Sequence, residues 1–193
     1  MNLLAGVQPS LGIRAVAVIG AGQAGRNFAL ACAAAGFYVV IEDVMPANLR
    51  RAEAEYSDLS LRGGYGELRL AMTVEEAVRE ADLAVDFVPD ELESKLEIFS
   101  LIDRMAPPKT ILCTPSEALS ITDLASCVYR PHRCVAIRGD VGAGKPLQIL
   151  HPPLSDENVL QSITGFFLRL GSVPELITDP VISALTKNAA PNR

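Results

Sequence analysis

The run Ala15-Val16-Ala17-Val18-Ile19-Gly20-Ala21-Gly22-Gln23-Ala24-Gly25 decides how this chain is read. Five apolar residues, three of them β-branched, predict a strand buried on both faces. They run into Gly20-x-Gly22-x-x-Gly25, and Arg26 to Ala35 continues as an Ala-rich helix stopped by Gly36. The three glycines do different things. The first permits a tight turn, the second lets backbone approach a pyrophosphate, and the third lets helix and strand pack closely. Phosphates then meet the helix N-terminus, where unpaired N–H groups and the dipole favour negative charge.

The surroundings strengthen a fingerprint that is weak alone. A second apolar strand, Phe37 to Ile41, ends in Glu42-Asp43, and Asp43 stands 23 residues after Gly20. An acid there meets ribose hydroxyls and repels a 2′-phosphate, so NAD is expected over NADP. The expected cofactor site is Gly20, Ala21, Gly22, Gln23, Ala24, Gly25 and Asp43.

Outward from this unit, strands alternate with helices. Leu68 to Met72 reads as a third strand, and Thr73-Val74-Glu75-Glu76 as a capping box opening a helix. Leu83 to Val88 is the fourth strand, and Pro89-Asp90-Glu91 starts a helix running to about Met105. Further strands are expected at Thr110–Cys113, Cys134–Ile137, Leu147–Leu150 and Pro174–Thr178, with helices from Ile121 and from Ser155. The pattern predicts a Rossmann-type, doubly wound, mainly parallel sheet with helices on both faces. The expected division is an N-terminal tail over 1–13, one NAD-binding domain over 14–179 and a C-terminal tail over 180–193.

Composition sets bounds. Of 193 residues, 49% are hydrophobic and only 5% aromatic, which suits an α/β domain with a covered sheet. A formal net charge of −6 argues against a nucleic-acid surface. No apolar run reaches membrane-spanning length, so no membrane partner is expected. Cys32, Cys113, Cys127 and Cys134 lack paired metal spacing and sit mostly in apolar runs. They read as small core residues of a reduced, cytoplasmic protein, with no metal site.

With these elements in order, the chain resembles the N-terminal, NAD-binding domain of the L-3-hydroxyacyl-CoA dehydrogenases. The likeness rests on residues 16–25, on Val39 to Asp43, on Ala81 to Lys95, on Ala106 to Thr114 and on Leu119 to Ala125. The resemblance implies an NAD-dependent oxidoreductase of fatty acid metabolism acting on CH–OH. It adds Asp90, where the family has a glutamate near the cofactor, and Lys95, which matches a family lysine there. A charged first helical turn is the plainer account of both residues.

At the catalytic end the resemblance breaks. The family's Asn-Thr-Ser-Ser-Leu loop is Pro115-Ser116-Glu117-Ala118-Leu119 here, without its asparagine and serine. Arg138 stands in place of the histidine that takes the hydroxyl proton, and a guanidinium does not act as a base in proteins. Gln148 stands where the carboxylate that orients that histidine belongs. The family's helical second domain follows an Asp-x-Pro-Gly-Phe segment, from which Asp179-Pro180-Val181-Ile182 departs, so that domain is not expected here.

Three residues remain as candidates for replacement chemistry. Glu117 is either a buried carboxylate beside the nicotinamide or an exposed capping residue. His151, just past a strand, is either a substitute base at the sheet edge where α/β active sites collect or a capping histidine. Arg138, with Lys145, meets a small acyl or anionic ligand, or is a solvated loop charge. Gly139 to Lys145 nearly spells a phosphate-binding loop, but Pro146 replaces the Ser or Thr that would hold Mg²⁺, and a strand follows. Two functions are compatible with these residues: a dehydrogenase-like enzyme with its catalytic set replaced, or a non-catalytic NAD(H)-binding sensor or subunit. A lone domain leaves an interdomain face uncovered, so self-association or a partner chain is expected.

Overall fold

The computed structural model describes residues 12–63 and 66–179; residues 1–11 of the expected N-terminal tail (1–13), the expected C-terminal tail over 180–193, and Gly64-Tyr65 lie outside them. One eight-stranded sheet organises the chain. Its strands are β1 (Ala15–Ile19), β2 (Tyr38–Glu42), β3 (Glu67–Ala71), β4 (Leu83–Asp86), β5 (Ile111–Pro115), β6 (Cys134–Arg138), β7 (Pro146–His151) and β8 (Val173–Thr178), in spatial order β3-β2-β1-β4-β5-β6-β7-β8. The α-helices are α1 (Gln23–Ala34), α2 (Pro46–Leu61), α3 (Val74–Val78), α4 (Leu92–Met105), α5 (Ile121–Ala125) and α6 (Glu157–Arg169).

Strands β1 to β6 are parallel in the order expected of a dinucleotide fold. The two faces of the sheet carry separate cores. Val16, Val18, Val39, Ile41 and Val85 pack with Phe28, Phe37, Phe166 and Phe167 on one side. Ala17, Ile19, Ala84 and Leu112 meet Phe99, Ile102 and Leu124 on the other. Neighbouring residues of one strand serve opposite cores, which is why these strands read as unbroken apolar runs.

The sheet reverses after β6. Only residues 139–145 join β6 to β7, too few for the crossover a parallel pair needs, so β7 returns antiparallel, with Arg138 opposite Gln148. Helix α6 then carries the chain to β8, parallel to β7. Asp179, just beyond β8, is buried; its Oδ2 accepts hydrogen bonds from Ser120 Oγ at 2.6 Å and the Thr122 amide at 2.9 Å, tying the end of the sheet to the start of α5.

Local signals explain the smaller elements. Thr73 Oγ1 accepts from the Glu76 amide at 3.2 Å, as the capping box predicts. The expected helix start at Pro89 is corrected: α4 begins at Leu92 with Glu91 as its cap, so Asp90 belongs to the loop before it. All four cysteines are free, with Cys32, Cys113 and Cys134 buried.

Candidate functional site

The β1–α1 turn places the three glycines as their spacing requires. Gly20 has φ +101°, a left-handed conformation that L side chains rarely adopt. A Cβ on Gly25 would stand 1.9 Å from the Gly20 carbonyl oxygen, so the helix seats on the turn only without a side chain there. Gly22 differs: a Cβ on it would meet no protein atom within 4 Å. The space beside it is open on the outside of the turn, where a pyrophosphate needs to approach. Gly22 is also the N-cap of α1, provides no side-chain cap, and is followed by a first turn without acidic residues. Gly22, Gln23 and Ala24 are exposed. The positive end of a twelve-residue helix is therefore exposed with no acidic side chain in its own first turn, which suits an anionic ligand.

Asp43 holds this turn together. One carboxylate oxygen, Oδ2, accepts from the Ala21 amide at 2.7 Å and from Asn48 Nδ2 at 3.0 Å. The other, Oδ1, accepts from the Met45 amide at 2.7 Å. A carboxylate offers about four acceptor positions, so one on Oδ1 remains for a ribose hydroxyl. Arg26 braces the turn from the helix side: its Nη1 donates to the Ala21 carbonyl at 2.9 Å while its Nε reaches both oxygens of Glu55. Sequence reasoning assigned no role to Arg26 or Asn48. Their signal was only proximity, Arg26 one residue after the fingerprint and Asn48 five after the acid.

Beside Asp43, Glu42 is buried, and burial followed by the Asp43 charge raises its carboxyl above the usual range. Val44 and Met45 remain exposed.

Lys95, expected near the cofactor, is buried in an ion pair. Its ammonium is 2.7 Å from Asp86 Oδ1, and the two residues are 1% and 0% exposed. Asp86 ends β4 under the turn, and a lysine in the first turn of α4 finds that buried carboxylate before it reaches solvent. Burial raises the Asp86 carboxyl above its usual value, although Lys95, the Thr114 hydroxyl and the Val88 amide all favour its charged form.

The other wall of the crevice is the β5–α5 loop. Asp90 Oδ2 accepts from the Glu117 amide at 3.0 Å, joining two candidates 27 residues apart. Ser116 donates its amide to the Ile137 carbonyl and accepts from the Leu119 amide through Oγ. Arg138, half-buried at the end of β6, donates from Nε to the Ser116 carbonyl at 3.0 Å and from Nη2 to the Leu119 carbonyl at 3.2 Å. Glu117 is exposed at the rim, which corrects the reading of a buried carboxylate.

Glu117, Arg138 and Gly139 line a groove of about 610 Å³ with Pro146, Leu147, Gln148 and the start of β8. Because β7 and β8 run backwards, their first residues share the sheet edge that carries the glycine turn. The same reversal corrects the expectation for His151. It lies three residues, roughly 10 Å of strand, past Gln148 toward the opposite edge. There its ring contacts the Pro152 carbonyl and Thr178 Oγ1, and it takes no part in the groove. Lys145 pairs with Asp140 at 2.9 Å on the hairpin surface. Among the described residues no group of three or more His, Cys, Asp or Glu is placed to hold a metal, and no helix is long and apolar enough to cross a membrane.

A glycine turn opening a helix, an acid at the end of the next strand and a 3-2-1-4-5-6 strand order define an NAD-binding Rossmann domain. The sequence model of one such family, described as 3-hydroxyacyl-CoA dehydrogenase, NAD binding domain, matches residues 15–174, and the chain belongs to that family. It is 26% identical over 182 residues to a probable 3-hydroxybutyryl-CoA dehydrogenase of Bacillus subtilis (strain 168), covering 86% of this chain and 63% of the relative. It is 30% identical over 135 residues to 5-formyl-3-hydroxy-2-methylpyridine 4-carboxylate 5-dehydrogenase of Mesorhizobium japonicum, covering 65% of this chain and 44% of that one. A solved diketoreductase, described by its dual catalysis of dicarbonyl compounds, superposes with a TM-score of 0.77 at 25% identity over 92% of this chain and 70% of its own. The chain thus spans less than two thirds of the length of these curated relatives.

Proposed function

We propose that residues 14–179 form an NAD(H)-binding oxidoreductase domain whose proton-transfer set differs from that of its family. The pyrophosphate would lie on Gly20–Gly25 and the adenosine ribose on Asp43, with exposed Val44 and Met45 as apolar surface for the adenine. Asp90 and Glu117 would border the nicotinamide end. Bound NAD supplies the hydride acceptor; this chain's residues supply orientation and the surroundings of the hydroxyl proton.

One observation carries the reading of a changed catalytic set: Arg138 occupies the position that the family resemblance assigns to a general base. Its guanidinium is already pinned to the Ser116 and Leu119 carbonyls. A guanidinium stays protonated and has no acceptor, so it can bind and polarise but not abstract a proton. The same observation favours the second reading, a non-catalytic NAD(H)-binding sensor or subunit. Self-association or a partner chain fits the exposed Leu168, Val173 and Leu176 around α6 and β8; light scattering at rising concentration checks it.

Titration calorimetry with NAD⁺, NADH and NADPH tests the cofactor assignment. Saturable binding of NAD⁺ and NADH with weak NADPH binding is expected, and no binding by any of them would overturn it. A subsequent screen for substrate-dependent NADH absorbance separates the enzyme from the sensor.

A further inference from the structure

The guanidinium of Arg138 has two edges that each present a pair of parallel N–H groups. The Nε/Nη2 edge is used on the Ser116 and Leu119 carbonyls. The Nη1/Nη2 edge makes no hydrogen bond among the described residues, and no carboxylate there lies within ion-pair distance of Arg138. A half-buried cation with no carboxylate in ion-pair contact thus lines a groove of about 610 Å³ with one fork unsatisfied. Pinning the first edge orients the second, so little side-chain freedom remains to be lost on binding.

We propose that this groove binds the free carboxylate of a small organic acid through the Nη1/Nη2 edge of Arg138. The fork spacing matches two carboxylate oxygens, and such pairs are the strong, directional members of their class. Two features narrow the ligand further. Glu117 and Glu175 also line the groove, so beside one positive charge stand two negative ones. A second anionic group on the ligand meets repulsion, which selects a monocarboxylate over a dicarboxylate or a phosphorylated acid. The wall of Pro146, Val173 and Pro174 is apolar and suits a short carbon chain. Gln148, directly across from Arg138 in the β6–β7 ladder, has an amide to engage a neutral hydroxyl or carbonyl.

The groove lies at the sheet edge of the cofactor turn, and Arg138 on its near side, at the end of β6, is three strand spacings or roughly 14 Å from β1. Such a ligand would therefore sit toward the nicotinamide half of a bound dinucleotide. In that respect the inference rests on the proposed cofactor site and specifies its substrate as a free acid.

The test uses the full chain with 3-hydroxybutyrate, its uncharged methyl ester and the dicarboxylate 3-hydroxyglutarate as probes. Arginine side-chain ¹⁵N–¹H NMR follows the Arg138 N–H signals, with and without NAD⁺. 3-Hydroxybutyrate is expected to shift the Nη signals saturably and to bind about tenfold or more tightly than the ester or the dicarboxylate. Arg138→Lys keeps the charge and loses the fork, so the preference for the acid over the ester is expected to weaken while the discrimination against the dicarboxylate, set by Glu117 and Glu175, persists. Equal binding of acid and ester, or no saturable shift with 3-hydroxybutyrate, overturns the proposal. NAD⁺ titration of the same samples reports the cofactor site separately. Failure to bind NAD⁺ overturns that assignment, while the cofactor-free carboxylate titration still decides the groove.

Discussion

Lys95 Nζ lies 2.7 Å from Asp86 Oδ1, both side chains sealed beneath the glycine turn. The pair fastens the first turn of α4 to the end of β4. Asp90 lies between them in sequence, so the loop that reaches Glu117 is anchored on both sides. Removing one partner strands a buried charge. Lys95→Met is expected to cost about 3–5 kcal/mol, and Asp86→Leu a similar amount. The double variant should recover most of that loss, as urea unfolding in a double-mutant cycle would reveal. Additive losses would show that the pair is not coupled.

The fingerprint glycines separate folding from binding. Gly25→Ala forces a Cβ against the Gly20 carbonyl, so unfolding experiments should show a loss of roughly 2–4 kcal/mol. Gly22 has φ −60° and no protein atom near its added Cβ, so Gly22→Ala should change stability by only about 0.5 kcal/mol. The methyl group would nevertheless stand where pyrophosphate approaches. Calorimetry is expected to show NAD⁺ affinity reduced about tenfold or more. Unchanged affinity in Gly22→Ala would place the pyrophosphate elsewhere.

Asp43 braces the turn and is proposed to meet the ribose, and its substitution should show both effects. Asp43→Ala frees the amides of Ala21 and Met45 and the Asn48 side chain, costing about 1–3 kcal/mol. It should also weaken NAD⁺ binding and narrow the preference over NADP⁺. Asn48→Ala removes one donor to Asp43 and leaves the acid in place. Thermal shift with both cofactors, run on the two variants, separates the turn-stabilising contribution from ribose recognition.

Two carboxyls give opposite dependences on pH. Burial alone would raise Asp82, but Lys109, with the Ala15 and Arg14 amides, holds it below the usual aspartate range. Its stabilising contribution is present above the ordinary aspartate pKa and is lost as pH falls through the depressed folded value. Glu42, raised by burial and by Asp43, behaves inversely. Its contribution is present below the ordinary glutamate pKa and is lost as pH rises through the raised folded value. Asp82→Asn should therefore destabilise at neutral pH and have little effect in acid. Glu42→Gln should stabilise at neutral pH relative to acid. Urea midpoints measured across the acid range check both signs.

The glycine turn, the acid after β2 and the alternation of strands and helices were legible because each is a local requirement. A positive φ, a side chain that cannot fit and an apolar run covered on both faces all leave marks within a few residues of sequence. The capping box at Thr73 and the strand nature of Leu147–Leu150 belong with them. The sequence by itself therefore determined the class of fold, the cofactor turn and the acid beside it.

Direction and pairing were decided by tertiary structure. His151 ends a strand, and sequence does not reveal which edge that end occupies; the seven-residue β6–β7 connection reverses β7 and carries His151 away from the cofactor edge. Lys95 reads as a charge in a first helical turn, yet the buried Asp86 draws it inward, because an unpaired carboxylate buried at the end of β4 would be far costlier. Arg138 reads as a missing base, while its fork on the Ser116 and Leu119 carbonyls exists only once β5 and β6 lie side by side. Local conformational rules are written in neighbouring residues, whereas the partner of a charge is chosen by whatever the fold brings within reach.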